Sequence, residues 1–450
     1  MVPLAKEGVM TPIRNWVAGC GLLVLASSPA VAATIHVETL TDELTANAVC
    51  SLREALMNAN ANNQGRAECE MGAGADLILL PVGTVEMAIG GREENANLTG
   101  DFDVTDSVTI RGQGAGLSTI DGNGIDRVLQ VLASAASVTI EDLTITGGSA
   151  MLSNTEQFGG GGIAAQGAAL TIRRCDLVLN TATSISTFLS VSGGGIFLSG
   201  SGTLTIEDSS LRDNTVTDGD TGIGVFGGGL AAFNTASQVF LVRSTLSGNA
   251  AIHTGNSQAH GGGIYDSGSL DIENCTVNGN SASSVSGTAS AGGIGYSDPG
   301  SGPGGIFKNL TLAGNSAPTG SGLEISGNLD LRNSIIAANG CAGTVVSLGG
   351  NVESPGATCG LGAGADDLEN VSSGALALGA LQYNGGYADT RALGAGSVAI
   401  DNGTAVPCLA TDERGVARLA PCDSGAYEAV DIFRDGFESA NFSAWTSHTP

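Results

Sequence analysis

Carboxylates and arginines gather at three places along this 450-residue chain. Asp121, Asp126 and Arg127 form one group, Glu207, Asp208, Arg212 and Asp213 a second, and Asp218-Gly219-Asp220 a third. Clustered carboxylates can hold calcium against an acidic sugar, and a guanidinium beside them can act as the base that removes a proton. Asp218 and Asp220 would be the calcium ligands in the third group, although two carboxylates supply only part of the oxygen set that calcium takes. His253 and His260 share one later stretch and offer two imidazoles for a weak metal site or for hydrogen bonding alone. Asp218, Asp220, His253 and His260 are therefore the candidate ligand-contacting residues. No catalytic residue is assigned. The chain has no Gly-x-Ser-x-Gly, no His-Glu-x-x-His and no P-loop lysine, and Gly222-Ile223-Gly224-Val225-Phe226-Gly227 lacks the strand–turn–helix setting that binds a dinucleotide.

These residues have to be positioned by a repeat. A glycine cluster followed by an aliphatic residue occurs at Gly161-Gly162-Ile163, Gly194-Gly195-Ile196, Gly228-Gly229-Leu230, Gly262-Gly263-Ile264, Gly292-Gly293-Ile294 and, in degenerate form, Gly320-Ser321-Gly322-Leu323. Each copy closes on an asparagine: Asn180, Asn214, Asn249, Asn280, Asn315 and Asn339. A period of roughly 30 residues, with short apolar strands and no helical periodicity, predicts a β-solenoid. In the fourth copy the strands are Gly263-Ile264-Tyr265, Ser269-Leu270-Asp271-Ile272 and Cys275-Thr276-Val277, and alternation puts Ile264, Leu270, Ile272, Cys275 and Val277 inside. The same alternation puts Leu204 and Ile206 inside and Glu207 outside, so most of the charged clusters read as solvated strand faces. The closing asparagines should form a ladder of amides. The connections 181–192, 215–226, 250–260 and 281–291 should stack into a loop-built face, the first place to look for a ligand.

Composition narrows the classes. A formal charge of −27 argues against nucleic acid or an anionic membrane as partner, and 70 glycines without a three-residue period exclude collagen. Residues 1–32 read as a signal peptide, with Arg14, the apolar run 17–26 and the small-residue site Ala30-Val31-Ala32. No segment is apolar enough for a transmembrane helix. Removal of Cys20 with the signal leaves eight cysteines in a disulfide-permissive chain. Cys50/Cys69, Cys341/Cys359 and Cys408/Cys422 would each close a loop of about 15–20 residues, worth on the order of 3 kcal/mol. Cys175 and Cys275 occupy one slot of the repeat, with Ser209 and Ser244 between them. Three coil steps separate them by roughly 14 Å, so they should be buried free thiols.

Two further stretches carry family resemblances. Cys50-Ser51-Leu52-Arg53-Glu54-Ala55, followed by an asparagine-rich run, resembles the CSLREA domain of exported bacterial proteins. Ser51 can cap a helix whose apolar face is Leu52, Ala55, Leu56 and Ala59, a lid for the open end of a solenoid. Asn384-Gly385-Gly386, Ala399-Ile400-Asp401-Asn402-Gly403, Thr411-Asp412-Glu413-Arg414-Gly415 and Cys422-Asp423-Ser424-Gly425-Ala426-Tyr427-Glu428 resemble the choice-of-anchor Q module, with Arg391 and Val398 where that family usually has histidine and proline. The repeat resembles the right-handed parallel β-helix of the pectin-lyase-like group, and its Gly-Gly-Ile and x-x-Asn elements resemble the repeats of polymorphic outer-membrane proteins. The expected organisation is a signal peptide (1–32), an N-terminal cap (33–100), an all-β right-handed parallel β-helix (101–340), a disulfide-bearing C-terminal module (341–429) and a tail (430–450). The leading functional reading is a secreted or surface-exposed, adhesin-like protein that binds a glycan or another surface macromolecule without catalysis. A calcium-dependent polysaccharide lyase or hydrolase is the alternative, and a passive spacer of the envelope or matrix is the third. Apart from possible calcium, no cofactor is implied.

Overall fold

The computed structural model describes residues 32–429 apart from 93, 154–158, 185–188, 219–222, 299, 301–303, 363–365 and 404–407. Residues 1–31 of the expected signal peptide, Asp220 and the tail 430–450 lie outside the described residues.

One coil shows how the repeat folds. Ile264–Asp266, Ser269–Glu273 and Thr276–Asn278 each join a different sheet, and Ile294–Ser297 then begins the next coil beside the first of them. Every pairing between successive coils is parallel, with Ile264 opposite Ile294, Ile272 opposite Phe307 and Val277 opposite Leu312. Among the described residues this gives sheets of 11, 10 and 9 strands around one core. Ile264, Leu270, Ile272, Cys275 and Val277 are fully buried in it, because a two-residue side-chain period turns alternate positions inward. The chain is a parallel β-helix, and its coils run from Thr34–His36 to Val352–Ser354.

The connections 181–192, 215–226, 250–260 and 281–291, between a closing asparagine and the next glycines, each carry two strands among the described residues. They form two more parallel sheets, of five strands (Ser149–Leu152 to Ser281–Ser284) and four strands (Val191–Ser192 to Ala289–Ser290). The two sheets meet over a second core of Ala182, Val191, Val216, Val225, Ala251, Ala259, Ala282 and Ala289. The result is a fin projecting from the main coil. Its base is narrow because the glycines lie there: Gly227 has φ +66°, and a Cβ at Gly228 would overlap the backbone of Gly262 and Ala250. The repeated glycines thus let the fin and the main coil share a waist one backbone thick.

A helix closes the N-terminal end, and a C-terminal module packs on one side of the stack. The helix α1, Leu52–Ala61, starts on a capping box made by Ser51 and Glu54 and buries Leu52, Ala55, Leu56 and Ala59. Arg53, also buried, bonds Asp42 and the carbonyls of Gly100 and Asp101, which pins the lid to the first coils. Toward the other end, the described residues of 373–429 fold back along the outer face of the ten-stranded sheet. The amide of Asn309 donates to the carbonyls of Asp423 and Gly425, and Arg418 reaches Asn274. The disulfides are Cys50–Cys69, Cys341–Cys359 and Cys408–Cys422, while Cys175 and Cys275 are buried free thiols. Burial raises the Cys175 thiol to about 12, so it stays protonated and unreactive. One crosslink, Cys408–Cys422, lies within 373–429, and none of the three lies between 129 and 339. Mild reduction should therefore raise hydrogen exchange in 373–429 before it does so in the coils between 129 and 339, and equal protection of both would contradict this.

Candidate functional site

The charged clusters resolve into ladders. At the corner after the eleven-stranded sheet, Asp142, Arg174, Asp208 and Arg243 occupy equivalent left-handed positions in successive coils. Arg174 bonds Asp142 behind it and Arg243 bonds Asp208, at 2.6 and 2.7 Å. Beside them a second column reads Arg111, Glu141, Arg173, Glu207, again with alternating sign. Arg212 pairs with Asp176 of the preceding coil at 2.6 Å. Asp126 and Arg127 are buried near the lid, where Arg127 pairs with Asp101 at 3.0 Å and Arg92 lies 3.7 Å from Asp126. The residues that neighbour one another in sequence are mostly matched to a different coil, and their charges are spent on coil-to-coil register.

Asp218 and His253 sit within the fin. Ser184, Asp218, His253 and Ser284 are register partners in its five-stranded sheet, and His253 is fully buried. His253 Nδ1 accepts the amide hydrogen of Gly255 at 3.0 Å, a turn-holding bond. The expected ligand face is corrected accordingly for these two residues: strand alternation, set by the alanines and valines two positions earlier, points them inward. Asp220 lies outside the described residues. Among the described residues no three His, Cys, Asp or Glu side chains are grouped to hold a metal.

His260 is different. It stands on the outer face of the fin's four-stranded sheet, in the column Ser192, Phe226, His260, Ser290. That face meets the outer face of the nine-stranded sheet, whose column reads Ala164, Phe197, Ala231, Tyr265, Gly295, Glu324. The angle between them holds a cleft of about 280 Å³ lined by Phe226, Gln258, His260, Tyr265, Gly295 and Glu324, among others. Its apolar wall is an aromatic stack. Phe226 lies parallel to His260 at 5.7 Å and packs on Tyr265 at 4.8 Å, and Phe233 backs Tyr265 at 5.1 Å.

The polar wall is a short relay. Ser290 Oγ lies 2.6 Å from Glu324 Oε2 and 2.5 Å from His260 Nδ1. The hydrogen bond with His260 holds the Glu324 carboxyl below its ordinary range; burial opposes this and the Ser290 bond adds to it. With Glu324 ionised, the single Ser290 hydroxyl proton goes to the carboxylate, and Oγ accepts from His260 Nδ1–H. Oε2 is thus occupied, while Oε1 receives no hydrogen bond from the described residues and the side chain stays 36% exposed.

Of this cleft, sequence reasoning found only His260. Tyr265 and Glu324 each follow the aliphatic opener of their copy by one residue, so alternation alone exposes them. An aromatic at that outward position, in a chain with 4% aromatic residues, was the available signal. No protein-family model matches this chain, and no curated protein matches it.

Proposed function

We propose that this protein is an exported, adhesin-like glycan-binding β-helix, and that the cleft between the fin and the nine-stranded sheet is its sugar subsite. Three disulfides fit an oxidising, extracellular setting, and among the described residues no helix is long and apolar enough to cross a membrane. The observation that carries the binding reading is the pairing of the Phe226–Tyr265 aromatic wall with a rim of Gln258, His260 and Glu324. A pyranose has an apolar C–H face and an equatorial fringe of hydroxyls, and such a wall and rim answer both. The cleft is at the small end for ligand pockets, which suits one ring of a longer chain. Glu324 is held ionised and hydrogen-bonded, which favours its use as an acceptor over use as a general acid. The resemblances to the CSLREA and choice-of-anchor Q segments agree with display at a cell surface.

Binding of oligosaccharides on a glycan array, without release of products, is the expected result. Tyr265→Ala should lower affinity for the best ligand by about tenfold while leaving the unfolding midpoint within a few degrees. Unsaturated products from a uronate polymer, with or without calcium, would replace this reading with a lyase. Failure of every glycan to bind would leave the spacer reading.

A further inference from the structure

We infer that the gap above Gly295 selects a pyranose that carries a free ammonium group, an amino sugar, over its N-acetylated or uronate counterparts. This rests on the glycan-binding reading above. In the outward column Tyr265, Gly295, Glu324, the middle residue has no side chain. Two coil steps separate the Cα atoms of the outer pair by about 10 Å; the Tyr265 ring leans over Gly295, and the cleft opens between that ring and the Glu324 carboxylate. His260 and Ser290 on the fin close its side. A ring seated there lays its C–H face on Tyr265 and directs a substituent at Glu324 Oε1, the oxygen that receives no hydrogen bond from the described residues. An ammonium in that place gains a charge-assisted hydrogen bond. No lysine or arginine is found among the described residues lining the cleft. The formal charge of −27 attracts a cationic oligosaccharide at long range and repels a uronate.

The test is calorimetric titration of the intact protein at low salt with three tetramers: β-1,4-linked glucosamine, its N-acetylated form, and galacturonate. The free amine should bind about tenfold more tightly than the acetylated chain, with the advantage shrinking as salt rises, and the uronate should bind most weakly. Glu324→Gln, which can still accept from Ser290, should reduce the difference between the first two to about twofold. In Gly295→Ala the added Cβ would lie 3.3 Å from Tyr265 Cδ2 and 3.2 Å from Ala291 Cβ, and by filling the gap it should weaken both tetramers. Equal affinity for the amine and acetylated chains, or a preference that survives Glu324→Gln, overturns the inference and leaves the glycan-binding reading standing. Absence of binding by these tetramers and by neutral glycans overturns both.

Discussion

Asn249→Ala should destabilise the β-helix by on the order of 3 kcal/mol. Asn249 is fully buried, and its side chain is used completely. Nδ2 donates to Asn280 Oδ1 and to the carbonyl of Leu211, both at 2.9 Å. Oδ1 accepts from the backbone amide and from Nδ2 of Asn214, both at 3.0 Å. Alanine removes these bonds, takes the partner from the buried Asn214 backbone amide and from Leu211 O, and leaves Asn214 Nδ2 only its bond to Leu177 O, which costs more than the bonds themselves contribute. Asn249→Asp should fare no better, since a carboxylate cannot donate to Leu211 or Asn280. Asn339 lies at the end of the ladder, and its Nδ2 bonds the Leu312 and Ala337 carbonyls. Its alanine variant should lose about 1 kcal/mol. Equilibrium denaturation of the three variants decides this. A loss at Asn249 within about 0.5 kcal/mol of zero would mean that the ladder is decorative.

The second large effect is on pH. Glu413 is buried where the C-terminal module lies on the ten-stranded sheet, and burial raises it to about 8, against its hydrogen-bond contacts with Thr276 and Thr245 and with added repulsion from Asp412. Proton counting agrees. Thr245 Oγ1 lies 2.5 Å from the carbonyl of Asp389, which can only accept, so the one hydroxyl proton of Thr245 is committed there. The 2.8 Å contact between Thr245 Oγ1 and Glu413 Oε1 then needs a proton on Glu413. Thr276 donates to the other oxygen at 2.5 Å. Burial likewise raises Asp103 to about 8 and Asp101 and Asp266 to about 7.

Each of these groups has a folded pKa above its unfolded value. Its stabilising contribution is full below about pH 4.5 and is lost as pH rises through 7 to 8. Asp142 is lowered by its bond to Arg174, and its contribution is lost instead as pH falls below about 4. The unfolding midpoint should therefore peak near pH 5 and fall steadily toward pH 8. Glu413→Gln can donate to Thr245 and accept from Thr276 at any pH. It should keep the module protected from exchange at pH 8.5, where the parent protein loosens and Glu413→Ala is loose throughout. A midpoint that rises between pH 5 and 8 would refute this.

The main coil was legible because its signal repeats: the glycine–aliphatic openers and closing asparagines return with each turn, and a stack can satisfy them in only one way. The fin was not, because its core is built of alanine and valine among serines and threonines, with Ala182, Val216 and Ala251 each two residues after an asparagine. Such small apolar residues barely raise local hydropathy, and their strands acquire a partner only from the next coil. Charged residues misled for a related reason. Glu207, Asp208 and Arg212 look like one cluster along the chain, but Arg243 pairs with the first two and Asp176 with the third. Glu324 lies in the most degenerate copy of the repeat, where the motif drew no attention to it.

The alternating corner column has a consequence for how such a chain can grow or shrink. Excising the single coil that carries Arg173 and Arg174 would seat Glu207 on Glu141 and Asp208 on Asp142, two like-charge contacts at one corner. Excising that coil together with the next would bring Arg243 onto Asp142 and keep opposite signs in contact. In this segment, insertions and deletions are compatible with the lattice of charges only in even numbers of turns. The parity ends at Asn274, where the corner becomes neutral and the C-terminal module takes hold.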